Sequence, residues 1–354
     1  MRMRANSRVT MIAVAAIIVV LLGTAFELTT IYSGKAKPSF DAKPLLNTSY
    51  FGYRLDHPLL ATPVGVASYG LTNDSGTISP YVVSTSEVVG QANISALSST
   101  TEWNYSVFPQ YISPYCDQCA FLQMNVWVSV TTAKGNQIYW VQDFISFLST
   151  TRHWIGNSPG VIYNETLPNA NITQARGNGA FESFLNQTIY TFGISNDYAG
   201  TYILPFDVTL KISVSVGSSG NGIDINMSRE GAQLSNSPVR FNSTVFFPIK
   251  NVTSTSILVS PYATISYGSS LPFAGNYDAE LVWTGPCCGQ SAMFNEMNSS
   301  LSLSYLNSAG KVVPFPTFYS FGGTGETATN LVVSPSNNAW TVTTGENDNR
   351  YLGS

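Results

Sequence analysis

The chain has 354 residues, which is enough for one large domain or two ordinary ones. Charged residues make up only 10% of it, against about 25% in ordinary soluble proteins, so its polar surface does not depend on ionised carboxylates and suits an acidic exterior. The net charge of -4 and the lack of basic clusters argue against nucleic acid as a partner.

The first predicted element is a hydrophobic helix near the N-terminus. Residues 9–26 form one apolar stretch that follows three arginines, and this pattern is typical of an export signal. Residues 1–30 are therefore predicted to be a cleaved signal peptide or a retained membrane anchor. Either alternative places residues 31–354 outside the cell, secreted or held on the outer face of the membrane through residues 9–26.

Strand patterns dominate the rest of the chain. In 121–130 the apolar residues alternate with Gln123, Asn125, Trp127 and Ser129, and "AKGNQ" predicts a turn into a second strand over 138–147. Further strands are predicted at 79–89, 201–216, 223–228, 239–249, 255–267, 277–284, 299–306 and 311–321.

These patterns predict an all-β fold in which antiparallel sheets pack as β-sandwich or jelly-roll-like layers. A turn of helix is expected within 179–192, and a division between two lobes is expected near 218–222.

Asn-X-Ser/Thr sequons support an exterior location, although a chain rich in Asn, Ser and Thr generates some of them by chance. The glycosylation candidates are Asn47, Asn73, Asn93, Asn104, Asn164, Asn171, Asn186, Asn226, Asn242, Asn251 and Asn298.

Four cysteines occur as two close pairs, Cys116 with Cys119 and Cys287 with Cys288. In an exported chain they are expected to form two disulfides. Zinc is the alternative for a CxxC motif, but adjacent cysteines are a poor second chelating arm. Three pairings are possible, and bridges that cross between the two pairs are preferred because bridges within a pair would be short and strained.

The two histidines leave little room for histidine chemistry. His57 and His153 are the two histidines of the sequence, and the chain has no Gly-X-Ser-X-Gly nucleophile motif. "GGTGET" (322–327) lacks the lysine of a phosphate-binding loop and is interpreted as a turn. No cofactor and no metal are therefore expected, and carboxylates remain as the candidate chemical groups.

Asp143 is the first candidate. It shares a strand face with four apolar residues, where an acid is costly unless it is paired or protonated. It is either a structural aspartate bonded to the backbone or a catalytic carboxylate.

Asp278 and Glu280 are the second and third candidates, and strand alternation puts them on one face. Tyr277, Ala279 and Leu281 form the opposite, core-facing side. The two acids therefore point into solvent or into a cleft, and their backbone positions, about 6.6 Å apart, suggest that a partner from a neighbouring strand completes the pair.

Several ordered motifs resemble the thermopsin family of secreted archaeal acid proteases. The resemblance extends over most of the exported chain and lies in "PVGVASYG" (63–70), "STSEVVG" (84–90), "LQMNVWV" (122–128), "YWVQDF" (139–144), "YDAELVWTGPCCGQS" (277–291) and "FGGTGETA" (321–328).

The resemblance implies an endopeptidase that acts on polypeptides at acid pH. The sequence departs from the family pattern in two places. Ser68 stands where the family often has Asp, so it is not assigned a catalytic role. Cys287 and Cys288 replace glycines in the turn after Glu280, where disulfides are expected to fix the edge of the cleft.

Two mechanisms fit the resemblance. In the slightly favoured one, two carboxylates share a proton and activate water, with Asp143 paired to Asp278 or Glu280. In the other, Glu280 activates water while the amide of Gln123 or Gln142 stabilises the oxyanion.

Asn125 is a supporting candidate on the predicted cleft floor. Glu326 and Glu87 are the next acids to consider. A non-enzymatic surface glycoprotein, such as an adhesin or envelope component, is the rival function.

Overall fold

The computed structural model describes most of the region after residue 63. The described residues are 64–74, 77–102, 118–155, 160–164, 176–177, 179–184, 187–192, 200–218, 220–233, 239–261, 277–286, 291–316, 319–322, 326–336 and 339–346. Every regular element within these ranges is a β-strand, as the sequence predicts.

The strands, in chain order, are β1 (Val64–Ser68), β2 (Leu71–Asp74), β3 (Thr77–Pro80), β4 (Val83–Thr85), β5 (Glu87–Glu102), β6 (Cys119–Thr132), β7 (Gly135–Leu148), β8 (His153–Ile155), β9 (Gly160–Asn164), β10 (Arg176–Gly177), β11 (Gly179–Phe184), β12 (Gln187–Phe192), β13 (Gly200–Thr201), β14 (Phe206–Val216), β15 (Ile223–Gln233), β16 (Val239–Phe247), β17 (Val252–Val259), β18 (Ala279–Thr284), β19 (Ser291–Leu306), β20 (Val312–Pro314), β21 (Tyr319–Phe321), β22 (Thr327–Thr329), β23 (Leu331–Ser336) and β24 (Ala339–Thr344).

Two large sheets contain nearly all of these strands. The twelve-stranded sheet runs in the order β11-β12-β9-β7-β6-β18-β1-β21, with β4, β8, β13 and β17 attached beside this path. The ten-stranded sheet runs β10-β16-β15-β14-β5-β19-β24-β23, with β20 and β22 paired to β19. Only β22 with β19 is a parallel pair among the pairings described; β2 and β3 form a separate hairpin.

The two sheets pack face to face around one hydrophobic core. Val126 and Leu281 of the twelve-stranded sheet and Leu210 and Leu301 of the ten-stranded sheet are fully buried members of this core. Aromatic contacts cross between the layers, as in the edge-on contact of the Phe147 and Phe206 rings. This arrangement is the predicted β-sandwich, in which alternate residues of each strand point into the shared core.

Hairpin turns lie at two of the positions where the sequence predicts a turn or a boundary. Residues 133–134 form the turn between β6 and β7, and Gly135 has the positive φ of 117° that favours glycine. Strands β14 and β15 pair along their whole length within the ten-stranded sheet. The lobe division predicted near 218–222 falls in the turn of this hairpin, so it does not separate the two sheets.

The expected turn of helix within 179–192 is wrong. These residues form β11 and β12, an antiparallel hairpin in which Gly179 lies opposite Phe192. Pairing at the edge of a large sheet satisfies the backbone groups of this segment and overrides its weak helical pattern. Similarly, the strand predicted over 311–321 is two short strands, β20 and β21.

The predicted signal or anchor at 1–30 lies outside the described residues. Within the described ranges, no helix has the length and apolar character needed to cross a membrane.

Candidate active site

The middle of the twelve-stranded sheet has a polar outer face, turned away from the sandwich core. In β6, Met124 and Val126 point into the core, so Asn125 and Trp127 point outward. The register places Asn125 opposite Gln142 of β7 and also opposite Glu280 of β18. Three neighbouring strands therefore bring these three polar side chains together in one row.

Glu280 is the buried acid of this row. It is only 2% exposed, and its Oε1 accepts a hydrogen bond of 2.6 Å from the Asn125 Nδ2 group. Asn125 is itself fully buried, and its Oδ1 atom has no hydrogen-bond partner among the described residues. A buried amide oxygen without a partner is unusual. It marks a position where a substrate or water donor would be accepted.

Asp278 lies immediately before β18 and two residues from Glu280, on the same face. Its Oδ1 accepts a hydrogen bond of 2.6 Å from the indole Nε1 of Trp127. Burial raises the pKa of Asp278 well above its ordinary value, and the nearby Glu280 charge raises it further. The Trp127 N–H group acts in the opposite direction but is the weaker influence. One carboxyl of the pair therefore retains a proton at a pH where an exposed aspartate has lost it.

The two candidate glutamines belong to the same outer face. The Gln142 Nε2 group donates a hydrogen bond of 2.8 Å to the Gln123 Oε1 atom, and both side chains are buried. The outer face therefore carries amide groups beside the acids, which the alternative glutamine mechanism requires.

Asp143 points the other way. It lies opposite Met124, and its strand neighbours Val141 and Ile145 are core residues. Its Oδ1 atom forms an ion pair with the Nε of Arg229, which β15 of the other sheet supplies. The sheet itself separates Asp143 from Glu280, so the structure does not bring Asp143 together with Asp278 or Glu280.

Burial dominates the titration of Asp143. Loss of hydration raises the pKa of this fully buried carboxyl, and this effect outweighs the Arg229 charge and the hydrogen bonds, which lower it. Its surroundings are those of a buried ion pair with Arg229 and not of the backbone-bonded aspartate that the sequence suggested as the structural alternative.

Three further polar positions lie away from the Asp278–Glu280 pair. Ser68 is opposite Ala279 on the core side and hydrogen-bonds Tyr81. Glu87 forms an ion pair with Lys211 at 2.6 Å in the ten-stranded sheet.

Glu326 is buried and directly precedes β22, whose Thr327 carbonyl accepts the Gly285 N–H group. It therefore lies near the end of β18 that is farther from Asp278.

Cys119 is disulfide-bonded, and it is fully buried at the start of β6. Cys116, Cys287 and Cys288 lie outside the described residues, so the pairing stays a prediction. The chain leaves β18 at the end of β6 where Cys119 lies, since Thr284 is opposite Phe121.

Trp127 and Arg229 are the partners that sequence reasoning missed. Trp127 had a signal, because it is a large aromatic residue that shares a face of β6 with Gln123 and Asn125. Arg229 had one too: it shares a strand face with the core residues Ile225 and Met227, just as Asp143 shares one with Val141 and Ile145. Among the described residues, no cluster of three or more His, Cys, Asp or Glu could hold a metal ion.

Fold and site together define an all-β protein whose candidate reactive groups are two neighbouring carboxyls on one sheet face. The family model of thermopsin matches residues 47–331. The chain is also 30% identical over 281 residues to the thermopsin of Sulfolobus acidocaldarius, covering 78% of this chain and 77% of that protein. The chain belongs to the thermopsin family, and it is a peptidase.

Proposed function

We propose that this peptidase is an endopeptidase that works at acid pH through Asp278, which stays protonated, and Glu280, which is ionised. The observation that carries the proposal is their common environment. Both acids lie on the outer face of the sheet, each accepts a hydrogen bond from a neutral N–H donor, and the charge of Glu280 raises the pKa of Asp278. Acid–base hydrolysis uses two interacting carboxyls whose pKa values differ, so that one acts as the acid and the other as the base.

The roles follow from the pKa of Asp278. Asp278 is the protonated member, because burial and the neighbouring charge both oppose its ionisation. Glu280 is the ionised member and takes a proton from the attacking water. The oxygen of that water bonds to the scissile carbonyl carbon while Asp278 protonates the carbonyl oxygen.

Collapse of the tetrahedral intermediate completes the reaction. The C–N bond breaks, the proton on Glu280 passes to the leaving amine, and the new carboxyl product returns the other proton to Asp278. Asn125 supports this sequence in two ways: its Nδ2 group holds Glu280, and its Oδ1 atom accepts a hydrogen from the bound water.

The glutamine mechanism is the second candidate, and the placement of Gln123 and Gln142 on the same face favours it. In that mechanism Glu280 acts as before, an amide N–H stabilises the oxyanion, and Asp278 is dispensable. Asp278→Asn separates the two: it abolishes turnover if the carboxyls act as a pair, and it spares turnover if an amide replaces Asp278. Gln123→Ala and Gln142→Ala are expected to spare turnover if the carboxyls act as a pair. They are expected to abolish turnover if an amide stabilises the oxyanion.

The direct test is digestion of a denatured protein at about pH 2–4, where the pair keeps a proton. The purified chain is expected to cleave internal peptide bonds, and Glu280→Gln is expected to lose at least the roughly 10²–10⁴-fold typical of an acid–base group. Cleavage that peaks at neutral pH, or a fully active Glu280→Gln variant, would refute the proposed site and mechanism.

We also propose that the protein acts outside the cell. The N-terminal pattern and the sequons support this. Five sequon asparagines have described side chains, and all are exposed or half-exposed: Asn93, Asn226, Asn242, Asn251 and Asn298. Glycopeptide mass mapping of protein from its native host tests the glycans. N-terminal sequencing of the same sample distinguishes cleavage within 1–30 from retention as an anchor.

A further inference from the structure

Gly322, the residue after β21, is buried directly against the Glu280 side chain. A Cβ atom placed on Gly322 would lie 2.8 Å from the Glu280 Cδ atom and 2.9 Å from a methyl of Val282, and it would overlap the Glu280 Oε2 atom. Its φ is outside the left-handed region, so the position requires glycine for space and not for backbone conformation.

The strand between Gly322 and Glu280 makes this approach possible. In the sheet β1 separates β18 from β21, and its residues alternate so that Val64 and Val66 face the core. The outer face of β1 therefore carries only the hydrogen of Gly65 and the methyl group of Ala67. The chain can cross above these small residues and reach the carboxyl of Glu280.

We propose that Gly322 is a positioning residue that fixes the orientation of the Glu280 carboxyl; the inference rests on the proposed function of that acid. The Oε1 atom is held by Asn125, and the Oε2 atom lies against Gly322. With both oxygens constrained, the carboxyl cannot rotate away from its hydrogen bond. Gly322 covers the Oε2 side, so the attacking water binds on the side of the Asn125 amide, where the Oδ1 acceptor has no hydrogen-bond partner in the part of the chain that the structure describes.

The test is a double-mutant cycle with Gly322→Ala and Glu280→Asp, assayed as kcat and KM for a peptide substrate at acid pH. Gly322→Ala alone displaces the carboxyl and is expected to lower kcat about 100-fold, the cost of a misplacement of about 1 Å, with little change in KM. Aspartate is one methylene shorter and leaves space for the new methyl group. In the Glu280→Asp background, Gly322→Ala is therefore expected to change kcat less than about twofold.

Gly90→Ala is the matched control. Its new methyl would meet Leu281 and Met124 from the core side of the same strands, at 2.9 and 3.0 Å. It changes packing on the core side of the sheet without touching the Glu280 carboxyl. Its effect on kcat is therefore expected to be small, and equal in the wild-type and Glu280→Asp backgrounds.

Equal losses from Gly322→Ala in both backgrounds, or near-native kcat of the single variant, would overturn the proposal. If Gly322→Ala does not fold, the Gly322→Ala/Glu280→Ala variant decides. Recovery of the fold means that the clash is with the carboxyl, and continued unfolding contradicts it. Failure of the proposed function can be distinguished from failure of this inference. It would appear as an active Glu280→Gln variant, whatever the effect of Gly322→Ala.

Discussion

The two faces of the twelve-stranded sheet provide their acids with different partners, a cation on one face and neutral N–H donors on the other. On the core face, Asp143 is paired with a cation, Arg229, that the second sheet supplies. On the outer face, Asp278 and Glu280 accept hydrogen bonds from the uncharged N–H groups of Trp127 and Asn125. A cation stabilises an ionised acid and binds the two sheets together. Neutral donors leave the acids able to exchange a proton, as catalysis requires.

The largest expected effect concerns the core face. Arg229→Met removes the cation and leaves Asp143 buried alone, so the variant is expected to lose about 3–5 kcal/mol of stability near neutral pH. The loss is expected to be smaller at acid pH, where Asp143 is protonated. Urea unfolding at pH 3 and pH 7 measures both values, and a loss that is equal at the two pH values would contradict the assignment of Asp143 as the titrating group.

The sign of this pH dependence follows from the raised pKa of Asp143. Because the folded protein holds this proton more tightly than the unfolded chain, the contribution of Asp143 to stability is complete below the unfolded pKa and is lost as the pH rises through the folded pKa. The Asp143→Leu/Arg229→Met variant removes the group, and its stability is expected to vary less between pH 4 and pH 7.

An effect of intermediate size concerns the outer face. Glu280→Gln removes the charge that opposes ionisation of Asp278, so the pKa of Asp278 is expected to fall while burial keeps it above the ordinary value. The indole of Trp127 contacts Asp278, and its fluorescence reports the titration. Trp127→Phe identifies the part of the signal that comes from this residue. A pKa that rises in Glu280→Gln would contradict the coupling.

The smallest effect is expected away from both faces. Glu87 and Lys211 form an ion pair at 2.6 Å, but the Lys211 side chain is 41% exposed. Glu87→Gln is expected to cost at most about 1 kcal/mol and to leave turnover unchanged. Thermal unfolding measures the stability change, and a peptide assay measures the turnover. A loss of turnover would make Glu87 a candidate catalytic acid.

The alternation of residues made the faces of the central strands predictable. Gln123, Asn125 and Trp127 alternate with aliphatic residues, and the structure places them on the outer face, as expected. The same rule separates the acids, because Asp143 shares a face with Val141 and Ile145, whereas Glu280 lies opposite to Leu281. The pairing of Asp143 with Glu280 therefore conflicted with the alternation itself.

Long-range contacts could not be predicted in this way. Alternation within a strand does not give the register that puts Asn125 opposite Glu280, because that depends on which strands are neighbours. Arg229 reaches Asp143 from the other sheet, and Gly322 reaches Glu280 across an intervening strand. These contacts join residues 42 to 155 positions apart, and only the fold brings them together.

The proposed site places the chemistry on the outer face of the sheet and not on the core face. The most direct measurement compares turnover per folded molecule, at acid pH, of Asp143→Leu/Arg229→Met with that of Glu280→Gln. Replacement of a buried ion pair by apolar residues of similar size is often tolerated, so the double variant is expected to fold and to keep near-native turnover. Glu280→Gln is expected to lose at least about 100-fold. A folded but inactive double variant together with an active Glu280→Gln variant would place the chemistry on the core face instead.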